Sequence, residues 1–167
     1  IKSLTIYCSS SNNLSSDYYK LAETLGLFLA KKSIKIIYGG GSVGMMGKVS
    51  KAAFNAKGKV IGIIPEFLID KEIVNNFTTK TIIVKNMSQR KNKLFNMGDA
   101  FLVLPGGSGT IEEATEIISW KFLGLHNKDI IIFNYKGYWN DLIKIYQKAK
   151  IKRFANKNLQ NICKDVK

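Results

Sequence analysis

The chain has 167 residues, 46% of them hydrophobic, enough for one domain with a substantial core and too many for disorder over most of its length. Its formal net charge of +14 raises nucleic acid or an anionic surface as partners, yet all but two of the 26 basic residues are lysines scattered through helices and turns, so general lysine enrichment outweighs a dedicated nucleic-acid face. No apolar run reaches the ~18 residues of a membrane span, no signal-peptide pattern precedes the first strand, and Cys8 and Cys163 show no metal-ligand spacing; a cytoplasmic, reduced setting is expected. The start at Ile1 instead of a methionine suggests a processed or trimmed form of a longer protein.

Short apolar runs alternate with helical periodicity from end to end. Leu4–Cys8 reads as a strand, followed by a Ser/Asn loop and a helix over about Asp17–Lys32. Ile34–Tyr38 is a second strand that opens into Gly39-Gly40-Gly41 and a helix over about Met45–Ala56. Val60–Ile64 and Thr81–Val84 are further strands, with a helix over Met87–Asn96. Ala100–Leu104 leads to a helix over about Ile111–Leu123, and Ile130–Phe133 to one over Tyr138–Ala149. This alternation specifies parallel βαβ units in a doubly wound, mainly parallel α/β fold with helices on both faces. The expected organisation is a single Rossmann-like nucleotide-binding domain over residues 1–150. Residues 151–167 are expected to form a polar tail or a partner-dependent helix.

Ligands bind beyond the carboxyl ends of the strands in such sheets, and three loops there have unusual composition. Tyr7-Cys8-Ser9-Ser10-Ser11 offers hydroxyls and amides for a phosphate, or is an ordinary polar loop, with nothing to choose between them. Gly39-Gly40-Gly41-Ser42-Val43-Gly44-Met45-Met46-Gly47 satisfies G-x-G-x-x-G between a strand and a helix. No acidic residue ends the next strand, however, where Pro65 follows Ile64, which argues against a dinucleotide. Its glycines also suit a tight turn and helix–sheet contact. Pro105-Gly106-Gly107-Ser108-Gly109-Thr110 is the strongest: glycines expose successive N–H groups, and a helix start adds unpaired donors and the positive dipole end. Thr110-x-x-Glu113 also reads as a capping box, which accounts for Thr110 and Glu113 but not for the glycines before them.

Arginine occurs only at Arg90 and Arg153. Arg90, beside Lys91 on the helix before the third loop, is singled out because this chain otherwise uses lysine wherever a cation suffices. His126, the only histidine, is explained by a helix C-terminus, and Trp120 by packing.

Together these segments resemble the Lonely Guy family of cytokinin riboside 5'-monophosphate phosphoribohydrolases, long mislabelled as lysine decarboxylases. The resemblance rests on Tyr38-Gly39-Gly40-Gly41, Gly44-Met45-Met46-Gly47, Ile63-Ile64-Pro65, Arg90-Lys91 and Pro105 to Glu113, and spans about Leu4 to Tyr146. It implies a cytoplasmic homodimer that cleaves the N-glycosidic bond of a nucleoside 5'-monophosphate, AMP or an N6-modified AMP, to free base and ribose 5-phosphate. No cofactor or metal is implied, nor a membrane or specific nucleic-acid partner. Carried onto this chain, Arg90 and Glu113 take the catalytic positions, and Gly106, Gly107, Ser108, Gly109 and Thr110 hold the phosphate. Glu72, Lys91, Glu112 and Ser119 fall where the family contacts substrate. Two departures stand out. Ser88-Gln89 replaces the family's usual His-Glu, and Ser119-Trp120 its usual Thr-Trp, and both bear on which base is accepted. The chemistry agrees with the residues, since breaking an N-glycoside develops positive charge on the ribose that a carboxylate can stabilise. A pyridoxal-phosphate decarboxylase needs a Schiff-base lysine in a much larger fold. The alternative within the same fold is a non-catalytic nucleotide-binding or carrier module.

Overall fold

The computed structural model describes residues 1–69, 76–155 and 163–166. Its strands are β1 (Ser3–Tyr7), β2 (Lys35–Tyr38), β3 (Val60–Pro65), β4 (Lys80–Val84), β5 (Ala100–Val103), β6 (Asp129–Phe133) and β7 (Cys163–Val166). They form one sheet in the order β4-β3-β2-β1-β5-β6-β7, every neighbouring pair parallel. The helices are α1 (Ser16–Lys31), α2 (Gly44–Asn55), α3 (Met87–Met97), α4 (Ser108–Phe122) and α5 (Asn140–Ile151).

The central strands are apolar on both faces because both are covered. Leu4, Ile6, Ile36, Tyr38 and Leu102 point into a core shared with α1 and α2. Their neighbours in sequence, Tyr7, Ile37, Phe101 and Val103, point into the opposite core, under α3, α4 and α5. Truncating one of the fully buried residues, such as Ile37 to alanine, removes its transfer free energy and leaves a void, about 2–5 kcal/mol together.

Three differences from the sequence expectation matter. Helix α4 begins at Ser108, three residues before Ile111, and α5 begins at Asn140 after a tight turn at Tyr135–Gly137. Cys163–Val166, in the segment expected to be a tail or a helix, is an edge strand paired with β6. Its two central residues, Lys164 and Asp165, are charged, which is common at sheet edges and hides a strand from hydrophobic patterning.

His126 is structural. Its Nε2–H donates to the Ile117 carbonyl at 2.9 Å, its Nδ1 accepts from the Lys128 amide at 3.2 Å, and Phe95 and Phe101 meet it edge-on. Burial therefore holds its pKa below the usual value. A histidine kept neutral by folding contributes stability that is present above its unfolded pKa and lost as pH falls through that value towards the folded one. Urea unfolding should accordingly show the wild type losing more stability than His126→Gln between pH 7 and pH 5; parallel losses would contradict it.

Candidate active site

The order of the strands decides where a ligand fits. From β1 the chain winds outward through β2, β3 and β4, then returns to place β5 on the other side of β1. The loops leaving β1 and β5 thus diverge, and the crevice between them is the topological switch point. A cavity of about 360 Å³ opens there, lined by Ser9–Ser11, by Gly107–Thr110, and by Arg90, Glu112 and Glu113 among others.

The two glycine segments differ in a way composition does not reveal. At the start of α2 the donors are already used: Met45 and Met46 N–H groups donate to the Ser9 carbonyl at 2.9 and 3.3 Å, and the Gly44 N–H donates to Asn12 Oδ1 at 3.1 Å. Gly44 has φ +62, and a Cβ there would lie 2.6 Å from the Ser10 backbone. Its glycine is a packing requirement. At the start of α4, Gly107 caps the helix without any side-chain bond, and the Ile111 N–H already reaches the Gly107 carbonyl. The Ser108, Gly109 and Thr110 N–H groups have no acceptor among the described residues and belong to the cavity wall. The capping-box reading fails for the same reason: Thr110 and Glu113 both lie inside the helix, and Thr110 caps nothing.

Arg90 stands on α3, whose first turn is closed by Asn86, its side chain accepting from the Gln89 N–H at 2.9 Å. The arginine is only 8% exposed, and its guanidinium is clamped. Nε donates to the Ile63 carbonyl at 3.3 Å and Nη2 to the Gly39 carbonyl at 3.1 Å. A guanidinium carries five N–H donors, so this leaves others for a ligand while the plane is fixed. Gly39 makes room for it, because a Cβ at that position would come within 2.0 Å of Nη2. Gly39→Ala should therefore push Arg90 from its seat and reproduce most of the functional loss of an Arg90 variant, with stability falling by only about 1–3 kcal/mol. A fully active Gly39→Ala protein would show that Arg90 tolerates displacement.

Glu113 lies one turn into α4 and faces the same cavity. Burial pushes its pKa up to about 7; Arg90 pulls it down, and Glu112 and Glu116 push it further up. A carboxyl poised near neutrality opposite a fixed guanidinium is suited to handling charge or protons at a reacting centre.

The remaining sequence-proposed residues are placed unevenly. Lys91 is held by two carboxylates of α4, its Nζ 2.7 Å from Glu112 Oε1 and 2.9 Å from Glu116 Oε1, and these bonds raise its pKa. It reaches the cavity only through Glu112. Gly106 lies two residues before the first of the open donors and lines an adjoining cavity of about 250 Å³. Ser119 is exposed, outside the wall of either cavity. Glu72 lies outside the described residues. Sequence reading missed Met46 and Met87, apolar walls of the larger cavity, and Tyr138, whose hydroxyl donates to the Gly106 carbonyl at 2.7 Å. Tyr138 was open to discovery, since it follows a strand at the same carboxyl edge as the other loops.

Among the described residues no helix is long and apolar enough to cross a membrane. The fold is that of solved proteins of low sequence similarity. One is the molybdenum cofactor carrier protein of Chlamydomonas reinhardtii, with TM-score 0.75, 17% identity, and coverage of 99% of this chain and 89% of that one. Another is the molybdenum cofactor binding protein of Rippkaea orientalis, with TM-score 0.71, 20% identity, and coverage of 99% and 88%. Sequence similarity is stronger elsewhere. The cytokinin riboside 5'-monophosphate phosphoribohydrolase of Rhodococcoides fascians is 37% identical over 169 residues, 99% of this chain and 85% of that protein. A probable enzyme of the same name from Oryza sativa subsp. japonica is 39% identical over 159 residues, 95% of this chain, which spans 64% of that protein's length. The family model described as "possible lysine decarboxylase" matches residues 46–167. With that match and these identities across nearly its whole length, the chain belongs to the family those phosphoribohydrolases represent, the Lonely Guy family.

Proposed function

We propose that the chain is a phosphoribohydrolase that releases the free base from a purine nucleoside 5'-monophosphate, AMP or an N6-modified AMP. The observation that carries this reading is one cavity holding three kinds of group: the open N–H donors of α4, the clamped guanidinium of Arg90 and the carboxyl of Glu113 with its pKa near 7. The relatives' names supply the substrate class.

In the reaction the C1'–N9 bond breaks and its electron pair leaves with the base. Water oxygen bonds to C1', one water proton passes through Glu113 to solvent or base, and ribose 5-phosphate remains. Ser108, Gly109 and Thr110 N–H groups grip the phosphate at the positive end of α4, where an anion is favoured. Glu113, as carboxylate, stabilises the cationic ribose and receives the proton from water. Arg90 supplies a fixed cation to the phosphate or to the departing base. Glu112, braced by Lys91, contributes to the wall against which substrate packs. Glu72 and Ser119 enter as substrate contacts through the family resemblance alone. The same reading places the enzyme in the cytoplasm, as a homodimer without a cofactor. Leu123 and Leu125, 74% and 65% exposed at the end of α4, offer apolar surface for a second copy.

Incubation with AMP and N6-modified AMP, followed by chromatography, should yield free base and ribose 5-phosphate in equal amounts. Tight monophosphate binding without base release from any of them would replace the enzyme with a carrier module.

A further inference from the structure

The loop Pro105–Gly107 has three successive carbonyls, and each is engaged by the protein. The Pro105 carbonyl accepts from the Ser9 N–H at 3.1 Å, the Gly106 carbonyl from Tyr138 Oη–H at 2.7 Å, and the Gly107 carbonyl from the Ile111 N–H at 3.0 Å. Two of these bonds are backbone to backbone. Only the middle one depends on a side chain.

That middle carbonyl belongs to the Gly106–Gly107 peptide, in which C=O and N–H point in opposite directions. Gly107 lines both the larger cavity and the smaller one, and Tyr138 stands in the smaller one. Holding the carbonyl on the Tyr138 side turns the Gly107 N–H away from Tyr138, and Gly107 also lines the larger cavity beside the open donors of Ser108–Thr110. Among the described residues no other hydrogen bond holds this carbonyl. Gly107, a glycine with nothing within 4 Å of where a Cβ would stand, tolerates the positive φ that turning this peptide over would give it. An inverted peptide would present a carbonyl oxygen, with its partial negative charge, to the phosphate.

The turn that carries Tyr138 is well anchored. The Trp139 N–H donates to Asn134 Oδ1 at 2.8 Å, Asn134 Nδ2 donates to Asn140 Oδ1 at 2.8 Å, and the rings of Tyr138 and Trp139 pack edge to face at 4.9 Å. The turn before α5 thus braces the anion loop from behind.

We propose that Tyr138 is a positioning residue for substrate phosphate: its hydroxyl locks the Gly106–Gly107 peptide so that the Gly107 N–H joins the phosphate grip. This rests on the reading that the start of α4 holds the phosphate, and its test separates the two. Tyr138→Phe keeps the ring and its packing and removes only the bond to Gly106. Calorimetric titration with inorganic phosphate, ribose 5-phosphate, AMP and adenosine should show about three- to tenfold weaker binding of the three phosphorylated ligands and unchanged binding of adenosine. With AMP as substrate, KM should rise by a similar factor while kcat stays within about twofold. Tyr18→Phe, in the wall of the same smaller cavity, serves as the control and should change none of these values. Unchanged phosphate affinity in Tyr138→Phe overturns the proposal, as does an equal loss for adenosine, which would put the hydroxyl at the nucleoside. A wild type that binds AMP no better than adenosine overturns both this proposal and the phosphate site. A wild type that binds phosphate but releases no base sinks the enzyme reading alone and leaves the Tyr138 comparison intact.

Discussion

Glu113→Gln should lower kcat for base release by about 10²–10⁴-fold while making the folded protein more stable above neutral pH. The two effects have one cause. The wild-type carboxyl is half-buried beside Glu112 and Glu116, and its pKa of about 7 means that ionising it in the folded state costs free energy that the exposed unfolded chain does not spend. A group whose folded pKa is raised contributes stability below its unfolded pKa, near 4.5, and loses it as pH rises through about 7. Glutamine does not titrate, so Glu113→Gln should equal the wild type most closely near pH 4.5 and exceed it by about 1–3 kcal/mol at pH 8. Urea melts at the two pH values measure this, and identical pH profiles for the two proteins would contradict it. The wild-type kcat should also fall as pH drops below about 7, because the proposed role needs the carboxylate. A rate that instead rises on acidification would make Glu113 an acid, protonating the leaving base.

Arg90→Lys should cost nearly as much activity as Arg90→Ala, about 10²–10³-fold in kcat/KM, although it keeps the charge. Lysine has no planar fork, so it cannot reach the Ile63 and Gly39 carbonyls together while leaving donors for the ligand. Arg90→Ala should in addition destabilise by about 2–4 kcal/mol, since it removes two hydrogen bonds to carbonyls and opens a hole beside Gly39. Steady-state kinetics with AMP and thermal melts of both variants make the comparison. A lysine variant with wild-type kcat/KM would show that charge alone is needed and that the clamped plane is incidental.

The sheet was readable from the chain because its central strands are unbroken apolar runs, as in Ile61–Ile64 and Ile130–Phe133, separated by helices of ordinary length. The glycine loop before α4 was readable as a candidate site because glycine density before a helix has few other uses. What escaped depends on partners distant in sequence. Nothing local to Gly39 announces that it exists to admit a guanidinium 51 positions later, and nothing local to Lys91 shows that Glu112 and Glu116 of another helix hold it. The start of α4 was misplaced because its cap is a bare glycine, and capping signals are carried by side chains. Tyr138 was overlooked for a similar reason: its contribution is one hydroxyl bond to a backbone carbonyl 32 positions earlier.

The closure of α2 by Ser9 and Asn12 also sets the valence of the site. Two helices begin at the crevice, but the first-turn amides of α2 are occupied by the chain's own loop, so of the two only α4 offers open ones. A pyrophosphate bridge, with its second charged group, would find at the neighbouring helix a carbonyl oxygen where dinucleotide-binding folds offer amides. Under the proposed function, preference for a mononucleotide over a dinucleotide would rest on this contact between two loops and not on a group that grips the phosphate.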